Sequence, residues 1–324
     1  MTWVAWRTQR LEILVSVGVV AIFAIWLLIT GIHEHSVWSS YLSHGCLARS
    51  GPICSALQAH WSSASRWNGV DIEILYFIPG FVGLSIGAPM VAKEIATGTN
   101  RFAWTQSVSR MRWLSAKLAI GMIAAVAISD ALALIVQWWS SAGYSGMRIQ
   151  PKLFGATGIV LVAYTVFAFM LGAALGAALR KTGWAFGIGA VIFAGFRILI
   201  QSVVRPNLIH PSAIVANSYN QSLISNGWVL GSGYLPLDSL FPSSRQPWIY
   251  SSAGINRCNG LESHFHSSLH EFDNCLRLAN VHYVVNLFVE SDYGKLQLLE
   301  SGIFILGAVI LMSAMIFAVR RWQS

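Results

Sequence analysis

Of 324 residues, 55% are hydrophobic and only 10% are charged, whereas a typical soluble domain carries about 25% charged residues. The net charge is +8, and it sits in short segments between long apolar runs. That pattern excludes a soluble globular enzyme and a compact basic domain for nucleic acid.

Met1–Arg10 carries Trp3, Trp6, Arg7 and Arg10. Aromatics beside basic groups suit the headgroup layer, so this stretch predicts a short amphipathic interfacial helix in contact with membrane lipids. A first apolar span follows at Leu11–Ile32. It exceeds the h-region of a signal peptide and no A-x-A-like site follows it, so it is expected to be retained. Gly31–Asp71 is a Ser- and His-rich loop with Cys46 and Cys54. The second span is Ile72–Val91, the third Leu114–Trp139, the fourth Leu153–Leu179 and the fifth Gly183–Val204. Arg205–Leu296 is the largest polar segment, with an amphipathic part near Leu269–Val289; it predicts irregular structure with some helix. The sixth span is Gln297–Val319. Each run is close to the roughly 20 residues that cross about 30 Å of hydrocarbon. The fold class is therefore all-α integral membrane, with six spans in a single domain over residues 1–324.

Orientation follows from basic residues in short loops. With the N-terminus in the cytoplasm, the inner segments hold Arg7, Arg10, Lys93, Arg101, Arg110, Arg112, Lys117, Arg180, Lys181, Arg320 and Arg321, and the short outer loops hold Arg49, Arg66, Arg148 and Lys152. Both termini are expected to be cytoplasmic in a plasma membrane. Cys46, Cys54, Cys258 and Cys275 then fall outside, where disulfides persist. Four cysteines allow three connectivities, of which Cys46–Cys54 with Cys258–Cys275 is locally simplest. All nine histidines also fall outside. His264, His266 and His270 form H-x-H-x-x-x-H, with His282 further on. His264 and His266 do not share a helix face, so no metal is assigned.

Small-residue pairs Gly83/Gly87, Gly172/Gly176 and Gly183/Gly187 lie within spans and allow helix backbones to approach. Packing inside one chain is the favoured reading over a dimer interface. Two charges lie deep inside spans, Asp130 in the third and Arg197 in the fifth. At 1.5 Å per residue they reach similar depth, which predicts an Asp130–Arg197 ion pair locking these spans together.

The most informative stretch is Gly87–Lys117, GAPMVAKEIATGTNRFAWTQSVSRMRWLSAK. A single acid, Glu94, stands at the membrane edge. Gly98 and Thr99 make a turn, and Asn100–Trp113 predicts an amphipathic helix. A short rigid element between two spans can act as a lever on both.

This run resembles the permease subunits of type-two ATP-binding-cassette (ABC) transporters, especially those of high-GC Gram-positive bacteria. The shared pattern G-x-P-x-x-x-x-E-x-x-x-G-T is met by Gly87, Pro89, Glu94, Gly98 and Thr99. It continues through Arg101, Trp104, Gln106, Arg110, Trp113 and Lys117, and the opening Trp6-Arg7-x-Gln9-Arg10-x-Glu12 is similar too. The resemblance implies a coupling helix, with Glu94, Gly98, Thr99, Arg101, Trp104, Gln106, Arg110 and Arg112 engaging a separate ATPase. It implies two permease copies, as a homodimer, with two ATPase subunits, and ATP and Mg bound on those subunits. It further implies that Met1–Arg10 is a connecting helix, that short helices before the sixth span dip back into the outer leaflet, and that the second and fifth spans line the cavity. Export of a hydrophobic or amphipathic small molecule, such as an antibiotic or lipid-like compound, is the expected activity.

The chain has no G-x-x-x-x-G-K-[ST] phosphate loop, so ATP hydrolysis would reside on the partner. No catalytic residue and no cofactor are assigned to this chain. The alternatives are a polytopic membrane enzyme using Asp71, Glu73 or the outer histidines, and a sensory or assembly protein acting through its extracellular loops.

Overall fold

The computed structural model describes residues 2–46, 51–64, 68–97, 109–142, 148–215, 224, 226–236 and 281–321. Helix α1 covers Thr2–Ser43, α2 Pro52–Ala64, α3 Asn68–Thr97, α4 Arg110–Trp139, α5 Pro151–Phe154, α6 Ile159–Leu179, α7 Thr182–Leu199 and α8 Tyr293–Arg321. Six of these helices are long and apolar enough to cross a membrane: α1, α3, α4, α6, α7 and α8. An even number of spans puts both ends of the chain on one side, termed the terminal side.

Helices α3 and α6 form the centre. The most apolar stretch of each is 72% buried, against 22–33% for the other four. Glycines explain the close fit. A Cβ on Gly83 would meet the Thr165 carbonyl at 2.5 Å and Ala168 Cβ at 2.6 Å, and one on Gly172 would meet Ala88 N at 2.9 Å. Gly87 lies equally close to the Phe169 carbonyl, and Gly176 to the Ala88 carbonyl. Two of the three small-residue pairs therefore interlock α3 with α6 within one chain. Gly183 and Gly187 on α7 have nothing within contact distance. A Gly83→Leu substitution should lose folded protein, because backbone atoms cannot yield to the new side chain. Gly187→Leu should leave the yield of monodisperse protein unchanged, which fluorescence-detected gel filtration measures.

Apolar side chains close two cores. One joins α1, α3, α4 and α6 through Leu27, Leu75, Val136 and Phe169. The other joins α6, α7 and α8 through Tyr164, Phe193 and Phe304. Trp228 and Phe288 of the polar segment close the second core from the far side.

Three features depart from the sequence expectations. First, residues 2–10 are not a separate interfacial helix. They are the opening turns of the 42-residue α1, which at 1.5 Å per residue is roughly 63 Å long and projects past the bilayer. Its far tip carries α2, tied on by a Cys46–Cys54 disulfide with Cα atoms 5.3 Å apart. The rings of Trp38 and Trp61 also meet there, 5.6 Å apart. Cys258 and Cys275 lie outside the described residues.

Second, the polar segment holds a three-stranded antiparallel sheet in the order β1–β3–β2, with β1 at Ser212–Val215, β2 at Trp228–Pro236 and β3 at Val281–Phe288. The stretch read as amphipathic near Leu269–Val289 ends as strand β3, because its β-branched run pairs with β2 from Trp228↔Phe288 to Pro236↔Val281. Third, the fourth helical span begins at Ile159. Residues before it form the short α5 and a glycine-bounded turn, in which Gly158 has φ +70°.

Candidate coupling site and a buried far-side cluster

The terminal-side ends of α1, α3 and α4 converge on one buried ammonium. Lys117 lies in the second turn of α4 and is only 3% exposed. Its Nζ donates to a Glu94 carboxylate oxygen and, at 3.3 Å, to Thr8 Oγ1. The other Glu94 oxygen accepts from Trp113 Nε1 at 3.1 Å. Lys117 also stands over the Trp113 ring, 5.5 Å from its centroid. Gln9 Nε2 donates to the Lys117 carbonyl at 3.3 Å.

Two further contacts brace the clasp. Lys93 donates to Glu12 at 3.2 Å, and Ser16 Oγ meets Ser85 Oγ at 2.7 Å about one turn deeper. Helix α4 is capped by Ser109, whose side chain accepts from Arg112 N at 3.3 Å. Thus α3 ends at Thr97, α4 begins at Arg110, and the stretch between them is pinned at both ends by Glu94, Trp113 and Lys117. A buried ammonium is tolerable only with a carboxylate and further acceptors around it, so these helix ends are held in one geometry.

Of the residues expected to engage a partner, Gly98, Thr99, Arg101, Trp104 and Gln106 lie outside the described residues. Arg110 starts α4, and Arg112 is exposed on its first turn. Arg110–Trp113, the last residues of the helix expected over Asn100–Trp113, form the first turn of α4 behind the extended Ser109, and residues 100–108 lie outside the described residues. Glu94 was expected at a coupling contact; its described partners are within the chain. Thr8, Gln9 and Lys117 were not singled out as site residues. Their available signal was a lysine just inside an apolar span on the side where Glu94 emerges.

A second polar cluster lies buried near the far-side ends of α3, α6, α7 and α8. Arg205 and Glu300 are both fully buried and form a bidentate pair, with Nε–Oε2 at 2.6 Å and Nη2–Oε1 at 2.8 Å. Tyr164 donates its hydroxyl to Glu300 and accepts from Arg205 Nη2 at 3.1 Å. Arg205 Nη1 reaches the Pro151 carbonyl at 3.4 Å. Gln297 donates to the Phe154 and Thr157 carbonyls at 3.1 Å each, and its Oε1 accepts from Val160 N at 2.9 Å. This replaces backbone partners lost in the turn before α6.

The Asp130–Arg197 pair is not formed. The Arg197 guanidinium lies between two rings, 3.7 Å from the Tyr76 centroid and 4.2 Å from that of Tyr164. It donates to the Tyr76 carbonyl and, at 3.2 Å, to that of Gly155. Asp130 is exposed on α4, on another helix face. Equal depth was the only basis for pairing them, and depth does not fix rotation about the helix axis. In an uninterrupted α-helix, Arg197 and Arg205 would sit roughly 80° apart around the axis. The π-helical turn Ile200–Val204 intervenes, and its wider winding reduces that offset so both guanidinium groups enter the same interior. A Cβ on Gly155 would meet Arg197 Nη2 at 2.7 Å, so glycine is needed for that approach.

The aromatics of the second and fifth spans pack against each other within this chain. Phe193 is buried against Gly80, and Phe81 meets Phe186 with ring centroids 6.1 Å apart. Phe77 is exposed. Among the described residues, no group of three or more His, Cys, Asp or Glu side chains is placed to hold a metal. His264, His266 and His270 lie outside the described residues.

No curated protein and no solved structure matches the chain. Residues 17–205, more than half of its length, match the family model described as ABC-2 membrane transporter related; that stretch runs from within the first span through Arg205 and contains Glu94, Trp113 and Lys117, and the chain belongs to this family of membrane permeases.

Proposed function

We propose that this chain is the membrane subunit of an ATP-driven exporter whose nucleotide-binding subunit is a separate polypeptide. The observation that carries this reading is the Glu94–Lys117–Trp113 clasp. It anchors both ends of the short segment between α3 and α4, and it ties them to the start of α1 through Thr8 and Gln9. A push on that segment by a soluble partner reaches three spans together.

The terminal side is read as cytoplasmic. Arg7, Arg10, Lys93, Arg112, Arg180 and Lys181 lie there, as the positive-inside rule requires. The disulfide Cys46–Cys54 lies on the opposite side, where an oxidising exterior would maintain it. Two copies of the chain would assemble with two ATPase subunits, which bind ATP and Mg. The cargo is a hydrophobic or amphipathic small molecule, and ATP binding on the partners turns the central cavity outward.

Extraction of the chain from native membranes in mild detergent, followed by mass spectrometry, tests the architecture. The expected result is a stoichiometric partner carrying a G-x-x-x-x-G-K-[ST] phosphate loop. The absence of a nucleotide-binding subunit under several gentle conditions would overturn the reading. Inverted vesicles holding the assembled complex should accumulate cargo only when ATP is supplied.

A further inference from the structure

Asp130 takes no part in either the coupling clasp or the far-side cluster. It lies exposed on α4, roughly 14 Å along the helix from Trp139 at 1.5 Å per residue, and therefore within the hydrocarbon. Among the described residues, no hydrogen bond or ion pair reaches its carboxylate. Ile123, Ala127, Ala131 and Leu134 share its face and are exposed as well. The two alanines leave the carboxylate sterically open.

A charge at this depth is costly unless something polar meets it. A second copy of the chain offers no counter-charge there from its described residues. Lys117 is held by Glu94, Arg205 by Glu300, and Arg197 is enclosed by Tyr76 and Tyr164. Arg148, Lys152 and Lys295 stand at the far-side ends of the helices, above the level of Asp130. Amines of lipid headgroups remain at the surface for the same reason. A bare metal cation needs several oxygen ligands, and the described residues gather no such set. An organic cation with an apolar body satisfies both halves of the face: a carboxylate and an apolar stripe.

We propose that Asp130 is the charge determinant of a binding site for cationic amphipaths, with the cation on its carboxylate and the apolar body along Ile123, Ala127, Ala131 and Leu134. The proposal deepens the exporter reading by naming the charge class of a cargo, and rests on that reading for the transport step after binding.

Binding is measured with radiolabelled tetraphenylphosphonium on the full chain with its co-purified partner, in nanodiscs of phosphatidylcholine alone. Triphenylphosphine oxide serves as the neutral comparison. Asp130→Asn should weaken tetraphenylphosphonium binding roughly tenfold or more, as loss of a charge-assisted contact requires. Asp130→Glu should retain it, and binding of the neutral compound should not depend on residue 130. Equal affinity of wild type and Asp130→Asn for the cation would overturn the proposal. So would wild-type binding no greater than that of empty nanodiscs, whether a second copy or another segment of the chain covers the carboxylate. Asp130→Ser replaces Asp130→Asn if the latter is not monodisperse. Asp130-dependent binding without ATP-driven transport in vesicles would retain the site and refute the exporter reading. ATP-driven efflux of other cargo without Asp130-dependent binding would do the reverse.

Discussion

Glu94→Ala should abolish ATP-driven efflux while leaving a six-span protein that inserts and co-purifies with its partner. The substitution removes both the acceptor for Trp113 Nε1 and the counter-charge of Lys117, which stays buried with Thr8 alone among its described side-chain acceptors. Breaking one side of a buried ion pair costs about 3–5 kcal/mol. Here that cost is met locally, by release of the start of α4 from α3 and α1. On the proposed exporter reading, partner motion would then no longer reach the spans, and ATP hydrolysis should continue without transport. The double variant Glu94→Ala/Lys117→Met removes the orphaned charge and should recover thermal stability without recovering efflux. Efflux and ATPase rates measured on the same proteoliposomes separate these effects. Wild-type efflux by Glu94→Ala would refute the coupling role.

Removal of Glu300 should produce a large loss of stability. Glu300→Ala leaves Arg205 at full burial with Tyr164 and the Pro151 carbonyl as its remaining described hydrogen-bond partners. It also sets a second uncompensated guanidinium beside Arg197. A penalty of about 3–5 kcal/mol is expected, read as a large drop in thermal-aggregation temperature in detergent. The paired change Arg205→Met/Glu300→Leu should restore most of it, because an apolar pair of similar volume needs no desolvation compensation. If Glu300→Ala melts with the wild type, the cluster does not hold α7 and α8 together.

Both predictions concern side-chain pairs, and the pairs were the least legible part of the sequence. Asp130 and Arg197 were matched by depth alone. The structure separates them, because a helix fixes height at 1.5 Å per residue but leaves open which neighbour each face meets. Arg205 directly follows the fifth apolar run and Glu300 lies near the start of the sixth, and no local pattern joins them. Their pairing depends on the π-helical turn that follows α7 and on the placement of α8, which no local pattern records. Strand β3 shows the same limit: its partner β2 lies far along the chain, and cross-strand pairing decided its form.

The sequence by itself determined whatever depends on one segment at a time. Transfer of an apolar run from water to hydrocarbon is a local free energy, so six spans could be read from composition and length. Glu94 marked the terminal-side end of α3 through its residue type alone. The tertiary structure decided which glycine pairs interlock, which charges are compensated, and which acid is left facing outward. Those outcomes arise from helix rotation and from desolvation of each pair once buried, quantities that exist only when the spans have packed against one another.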